Sequence, residues 1–297
     1  MDRLIRTITK DGSLMAIAAD SSDMALISYQ VHHTSPVASA ALGRLLTGAA
    51  LMASLLKSPQ ASVTVKMNGG GPLGNVVAIG DGKGHVRGYV QNPSVSLPLR
   101  SDGKLDVGGA VGHTGLMAVI RDLGEGEPYI GQARLVSGEV AEDITSYYAT
   151  SEQIPTACAL GVLVDKETGE PTLAGGFLLQ VLPGADEQAA AKVEENLKKL
   201  PPMTTMLAKG MSMEEICGQL FDGMEWDKLD ETPLTYACNC SRERVLRAFS
   251  TLQPDEIVTL AGEDGFAEAA CQYCGRTYRI PKEELEKLAD EKRKKKF

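Results

Sequence analysis

The sequence has no excess of positive charge: 30 lysines and arginines stand against 39 aspartates and glutamates, for a net charge of −9. Proteins that bind nucleic acid through its phosphates gain affinity by releasing counterions to a basic surface, so nucleic acid is not expected as a partner. Residues 1–6, Met-Asp-Arg-Leu-Ile-Arg, contain no apolar run of the kind that opens a secretory signal, and a cytoplasmic location is the expectation. Histidine is scarce. His32, His33, His85 and His113 are scattered and lack the H-E-x-x-H or H-x-H spacing of a catalytic metal site. No G-x-S-x-G elbow surrounds Ser151, and no nucleotide-binding motif occurs. Gly69, Gly71 and Gly74 fit G-x-G-x-x-G, but Pro72 interrupts the run and residues 75–79 read as a strand where a helix would be needed. With these constellations missing, no enzyme activity is expected.

What is present is an ordinary soluble composition, 43% hydrophobic and 23% charged, in 297 residues. That length suffices for a large domain and a smaller one. Residues 36–57 are almost all apolar or small and would roughly span a bilayer. Ser35 and Pro36 stand where an N-cap and first helical residue belong, Arg44 would be costly at membrane depth, and Gly43 and Gly48 allow close packing. The segment is therefore read as a buried core helix, and no membrane partner is expected. Around it, residues 3–9, 13–19, 62–67, 75–80, 85–91, 115–121, 129–135, 159–164 and 174–182 carry strand patterns, several flanking glycine-rich turns. The predicted fold class is α+β, a large domain of mostly antiparallel sheet packed around a buried helix, over residues 1–183. Cys158 lies in an apolar stretch and reads as a small hydrophobe.

Residues 184–232 form a helical linker. Ala189, Val193, Leu197 and Leu200 recur at helical spacing before Pro201-Pro202, and Ser212 with Glu215 makes a capping box for a second helix carrying Cys217. Met203, Met206, Met211, Met213 and Met224 gather there with the single tryptophan, Trp226. Flexible thioethers suit both a packed seam and a surface that adapts to many partners.

Four of the six cysteines crowd the remaining stretch, residues 233–297, as Cys238-Asn239-Cys240 and Cys271-Gln272-Tyr273-Cys274. Two thiolate pairs from two short turns are the ligand set of one tetrahedral zinc site, although a single residue between the first pair is unusually tight. Ser241 caps a predicted helix, Pro254 opens another, and residues 265–270 and 275–280 read as a hairpin, with a further helix starting near Pro281. Few apolar residues remain for a core, so a metal is the expected stabiliser of this small α+β module. Zinc-held thiolates beside Arg242, Arg244, Arg276 and Arg279 would also react with oxidants. Joining Cys238 to Cys240 or Cys271 to Cys274 would remove ligands and convert a covalent change into loss of folding. A permanent zinc staple is the competing reading of the same four residues.

The chain resembles the redox-regulated bacterial heat-shock holdases, the 33 kDa chaperonin (heat shock protein 33) family. The likeness runs through Gly71-Pro72-Leu73-Gly74, Val86-Arg87-Gly88-Tyr89-Val90, Gly131 within residues 129–135, and Tyr147-Tyr148 with Ser151-Glu152-Gln153. It continues through Gly175-Gly176, Gln180 and Leu182-Pro183-Gly184, and ends on Cys238-Asn239-Cys240-Ser241-Arg242 and Cys271-Gln272-Tyr273-Cys274-Gly275. The resemblance implies a reduced, zinc-loaded, inactive form with one zinc ion. It further implies an oxidised form in which zinc module and linker unfold, subunits form a homodimer, and unfolded client proteins are held without ATP or another nucleotide. Two other readings have less support. A thioredoxin-like enzyme would place C-x-x-C at a helix N-terminus, whereas residues 275–280 read as a strand. The basic run at residues 292–296 could meet phosphate, but it equally suits the negative end of a helix.

Overall fold

The computed structural model describes residues 1–294. They form two compact units, Met1–Ala237 and Cys238–Phe297.

The first unit runs β1 (Arg3–Thr9), β2 (Leu14–Asp20), α1 (Ser22–His32), α2 (Pro36–Ala53), β3 (Ser62–Asn68), β4 (Val76–Asp81), β5 (His85–Val90), α3 (Val107–Val111), β6 (Leu116–Asp122) and β7 (Tyr129–Arg134). It continues with α4 (Val140–Tyr147), a π-helical turn (Tyr148–Glu152), β8 (Thr156–Val164), β9 (Pro171–Val181), α5 (Glu187–Lys199), α6 (Met203–Ala208), α7 (Met213–Leu220), β10 (Trp226–Pro233) and β11 (Thr235–Tyr236). Two sheets result, in the orders β10-β1-β2-β9-β8 and β11-β5-β4-β3-β6-β7. Every pairing is antiparallel apart from β11 against β5. The α+β class read from the sequence is the class observed.

Helix α2 is the centre of this body and packs on strands of both sheets. Ser35 caps it by accepting from the Ala38 amide, and Pro36 is its first residue. Although long and apolar enough to cross a membrane, it is 89% buried inside the unit. Its glycines and alanines set how closely the sheets approach: a Cβ on Gly80 of β4 would lie 2.7 Å from the Ala49 carbonyl oxygen. Such a contact leaves room only for glycine. Arg44, the one charge in the helix, pairs with Glu139. The helix ends at Ala53, short of the predicted residue 57, where the chain turns toward β3.

The five-stranded sheet is buried on both faces, and strand alternation divides its side chains between two cores. Leu4, Ile17 and Leu178 face the α2 core. Ile5, Ala16, Ala18, Phe177 and Leu179 face a second core completed by Val193, Met206, Leu207, Ile216, Leu220 and Phe221. Residues 184–232 therefore lie within the first unit in this structure, and their methionines fill the seam. Cys217 is fully buried there, and burial pushes its thiol up to about 11. The predicted capping box of α7 is formed by Ser212 and Glu215. The segment is not wholly helical, however. Its end, β10, pairs with β1 and is held by ion pairs from Arg3 to Glu231 and Arg6 to Asp230.

The second unit contains α8 (Arg242–Phe249), α9 (Pro254–Thr259), a β12–β13 hairpin (Phe266–Ala270 and Thr277–Pro281) and α10 (Lys282–Lys294). Among the described residues its buried core comprises Ile257, Ala261, Ala267, Ile280, Leu285 and Ala289. Helix α8, on which Val245, Leu246 and Phe249 were expected inside, has no fully buried residue; those three are partly buried against the core.

Candidate metal centre

Two short turns supply the four cysteines. Cys238 and Cys240 precede α8, whose cap Ser241 accepts from the Arg244 amide, while the Arg244 guanidinium donates to Asn239 Oδ1 at 2.7 Å. Cys271 and Cys274 occupy the β12–β13 turn, closed by the Gly275 amide on the Cys271 carbonyl and the Cys271 amide on the Arg276 carbonyl, each 2.9 Å. Gly275 takes φ +68°, the left-handed conformation glycine adopts without a Cβ penalty. Arg242 joins the two turns' supports, donating to the Arg279 carbonyl at 2.8 Å and to Glu284 at 2.5 Å.

The result is one cluster in which all four Sγ atoms lie within 4.8 Å of one another. Cys238 Sγ lies 3.7 Å from Cys271 Sγ, and Cys240 Sγ lies 3.4 Å from Cys274 Sγ. Both of these contacts join one turn to the other. Among the described residues, this is the group of His, Cys, Asp and Glu able to hold a metal ion.

The sulfurs are inequivalent. Burial pushes the Cys238 thiol up to about 12 and raises that of Cys274. Burial also opposes ionisation of Cys240, but the Tyr278 hydroxyl, donating at 3.1 Å, and the neighbouring sulfurs stabilise its thiolate and bring it down to about 7. Tyr278 was not anticipated; strand alternation places it opposite Ala269 in the hairpin, but no local pattern identifies a hydrogen bond to sulfur. Of the four arginines expected beside the cluster, Arg276 bonds Tyr278 and feels the Cys240 and Cys274 sulfurs. The other charges are engaged elsewhere: Arg242 and Arg279 pair with Glu284 and Glu268, and Arg244 holds Asn239.

The remaining candidates take structural places. Gly69 and Gly71 lie so close to the backbone of residues 110–112 that a side chain would collide, and β4 follows them as a strand. His85 meets Asp81 at 3.1 Å and His32 meets the Tyr236 hydroxyl at 3.0 Å. Burial pushes the Cys158 thiol up to about 12, consistent with an inert apolar role. Residues 277–281 form a strand after the C-x-x-C, which removes the thioredoxin-like geometry. In the basic run, Lys292 donates to the carbonyls of Ser250 and Leu252 and Arg293 pairs with Asp255. Lys295 and Lys296 of that run lie outside the described residues.

Fold and site together define an α+β protein with a C-terminal module carrying a four-cysteine cluster of the kind that can hold a metal ion. A family model described as Hsp33 protein matches residues 2–281, and the chain belongs to that family. It is 45% identical over 287 residues to the 33 kDa chaperonin of Acetivibrio thermocellus, a match covering 97% of this chain and 96% of that protein. The 33 kDa chaperonin of Geobacter sulfurreducens is 44% identical, with 97% and 95% covered. A crystal structure of the 33 kDa chaperonin (heat shock protein 33 homolog) from Thermotoga maritima superposes with a TM-score of 0.88 at 33% identity, covering 98% of this chain and 99% of that one. Membership supports a chaperone function, which acts on unfolded proteins, and chaperonins are a non-enzymatic class.

Proposed function

We propose that this protein is a redox-regulated, ATP-independent holdase of the bacterial cytoplasm, inactive when reduced and zinc-bound. The observation that carries the reading is a four-thiol cluster in a unit with six buried apolar core residues. Bonds of about 2.3 Å to a tetrahedral ion put sulfurs roughly 3.8 Å apart, close to the 3.4 and 3.7 Å found here, and four sulfur donors suit zinc. Bound there, zinc would keep Cys238, Cys240, Cys271 and Cys274 as thiolates and clamp the two turns together.

Peroxide is the proposed signal. A thiolate of each pair attacks the peroxide oxygen to give a sulfenic acid, whose sulfur is then attacked by the second cysteine. Cys238–Cys240 and Cys271–Cys274 disulfides form, each losing two electrons to one peroxide, which leaves as two waters after taking up two protons. The ligand set disappears, and a core of six residues cannot hold the module folded alone. Release of the linker would then uncover Ile5, Phe177 and Leu179 on the five-stranded sheet, together with the linker's own methionines. Those apolar surfaces would bind unfolding clients, and the activated subunits would pair as a homodimer.

The test treats zinc-loaded protein with peroxide at mildly raised temperature, following zinc release and the aggregation of a thermally unfolding test protein together. Parallel zinc release and suppression of aggregation, both reversed by reductant and zinc, are expected. Zinc loss without suppression would make the site a structural staple.

A further inference from the structure

The hairpin of the second unit brings one side chain to the cysteine cluster that neither the apolar core nor the set of sulfur donors accounts for. Strand β13 alternates: Thr277 and Arg279 are exposed, while Tyr278 and Ile280 are more enclosed. Ile280 enters the buried core, but Tyr278 belongs neither to that core nor to the partly buried side chains packed on it. Its partner across the hairpin is the small Ala269. Packing therefore does not explain an aromatic residue at this position.

The Tyr278 hydroxyl reaches the other turn instead and donates to Cys240 Sγ at 3.1 Å, 38 residues away along the chain. The Arg276 side chain, fixed just before β13, meets the same hydroxyl. A guanidinium has donors only, so it occupies a lone pair of the phenolic oxygen and leaves the phenolic proton for the sulfur. Hydrogen bonds linked in this way strengthen one another. The contact runs from the C-x-x-C hairpin to the C-x-C turn, and it acts on one sulfur of the four.

We propose that Tyr278 is a positioning residue of the switch: it holds Cys240 in the cluster and lowers the reactivity of that sulfur toward peroxide, and so sets how readily the Cys238–Cys240 disulfide forms. This role rests on the proposed reading of the four cysteines as a metal-held redox switch. With a metal bound all four sulfurs are thiolates, so the hydroxyl acts on the availability of the Cys240 electron pair and not on its ionised fraction. In the restrained step that pair attacks a peroxide oxygen, the S–O bond forms as O–O breaks, and the departing hydroxide takes a proton from solvent to become water. The Cys238 thiolate then attacks the Cys240 sulfur; S–S forms, S–O breaks, and the second hydroxide is likewise protonated to water. The two sulfurs together lose two electrons to one peroxide. A sulfur pair shared with an O–H donor is a weaker nucleophile and a better oriented ligand, so loss of the hydroxyl both speeds the attack and loosens Cys240.

The experiment uses the reduced full-length protein loaded with zinc, with a parallel sample loaded with cobalt(II). Peroxide is added below one equivalent, remaining thiols are alkylated, and the two disulfides are counted by mass spectrometry of their peptides. Tyr278→Phe removes the hydroxyl and keeps the ring. The ratio of Cys238–Cys240 to Cys271–Cys274 disulfide should rise about fivefold, the effect of one hydrogen bond. Transfer of the metal to a chelator without peroxide should quicken about tenfold. In the cobalt sample the sulfur-to-metal charge-transfer absorption should move to lower energy, because a sulfur relieved of its donor gives up an electron more readily. Arg276→Gln, at an exposed position, should move the ratio the same way by a smaller factor, and it decides the matter if Tyr278→Phe does not retain the metal. An unchanged ratio, or equal acceleration of both pairs as lost packing alone would give, overturns the proposal. Should the oxidised wild-type protein fail to suppress aggregation, the holdase reading falls while the disulfide ratio still decides the role of Tyr278.

Discussion

The two units are stabilised in different ways. In the first, α2 and both sheets bury a continuous core, and nearly every α2 side chain is out of water. In the second, six buried residues serve three helices and a hairpin, and its most concentrated contact is four sulfurs within 4.8 Å. Apolar burial is non-directional and insensitive to oxidants. Thiolate ligation is directional, chemically labile and lost as a unit. With a metal on the four cysteines as proposed, the chain would carry both and could lose one part of its fold while retaining the other.

The largest expected effect would sharpen that contrast. With zinc on the four cysteines as proposed, its chelation, or Cys271→Ser, should abolish the fold of the second unit while the α2 core persists, because structural zinc supplies about 10–16 kcal/mol of apparent folding free energy. Hydrogen exchange would read it: amides of α9 and β13 should lose protection while those of α2 keep theirs. Retained protection in β13 would break the comparison. A smaller effect concerns the cover on the five-stranded sheet. Ile216 is fully buried against that sheet's outer core, and Ile216→Ala should cost about 2–5 kcal/mol. Residues 187–220 should then open at lower urea than α2, and dye binding to apolar surface should rise without oxidant.

Titration gives the two smallest effects, both in the first unit. Burial raises the Asp2 carboxyl to about 6, although its two hydrogen bonds from the α1 amides oppose the shift. The folded state therefore holds a proton that the unfolded chain releases near 4, and stability falls as pH rises from about 4 to 6 and then levels. Relative to Asp2→Asn, the native protein should lose about 1–2 kcal/mol over that window in urea titrations. Glu214 behaves oppositely, since its hydrogen bonds with Arg3 outweigh burial and hold it at about 2. Its contribution is present above about 4.5 and disappears as pH falls through 2; being largely solvated, it should amount to less than about 1 kcal/mol in Glu214→Gln.

The sequence was most informative where spacing carried the signal. The C-x-C and C-x-x-C pairs, the Ser35-Pro36 start of α2, the Ser212/Glu215 box and most strands could be read from periodicity and capping residues. Reading failed at α1, α4, α6 and β10. The local cap of α1, Ser21, makes no capping bond; the Asp2 carboxylate, 21 residues away, accepts from the Asp23 and Met24 amides instead. Strand β10, Trp-Asp-Lys-Leu-Asp-Glu-Thr-Pro, has little strand propensity and is extended because β1 pairs with it and Arg3 and Arg6 neutralise its acids.

By itself, then, the sequence determined the element types with strong periodicity, the apolar character of α2 and the identity of the four cysteines that cluster, all properties of residues close along the chain. Tertiary structure alone decided that the linker covers one face of a sheet and that Tyr278 reaches Cys240. Those relations join groups whose separation along the chain leaves no periodic trace, and only packing brings them within the few ångströms over which hydrogen bonds and charges act.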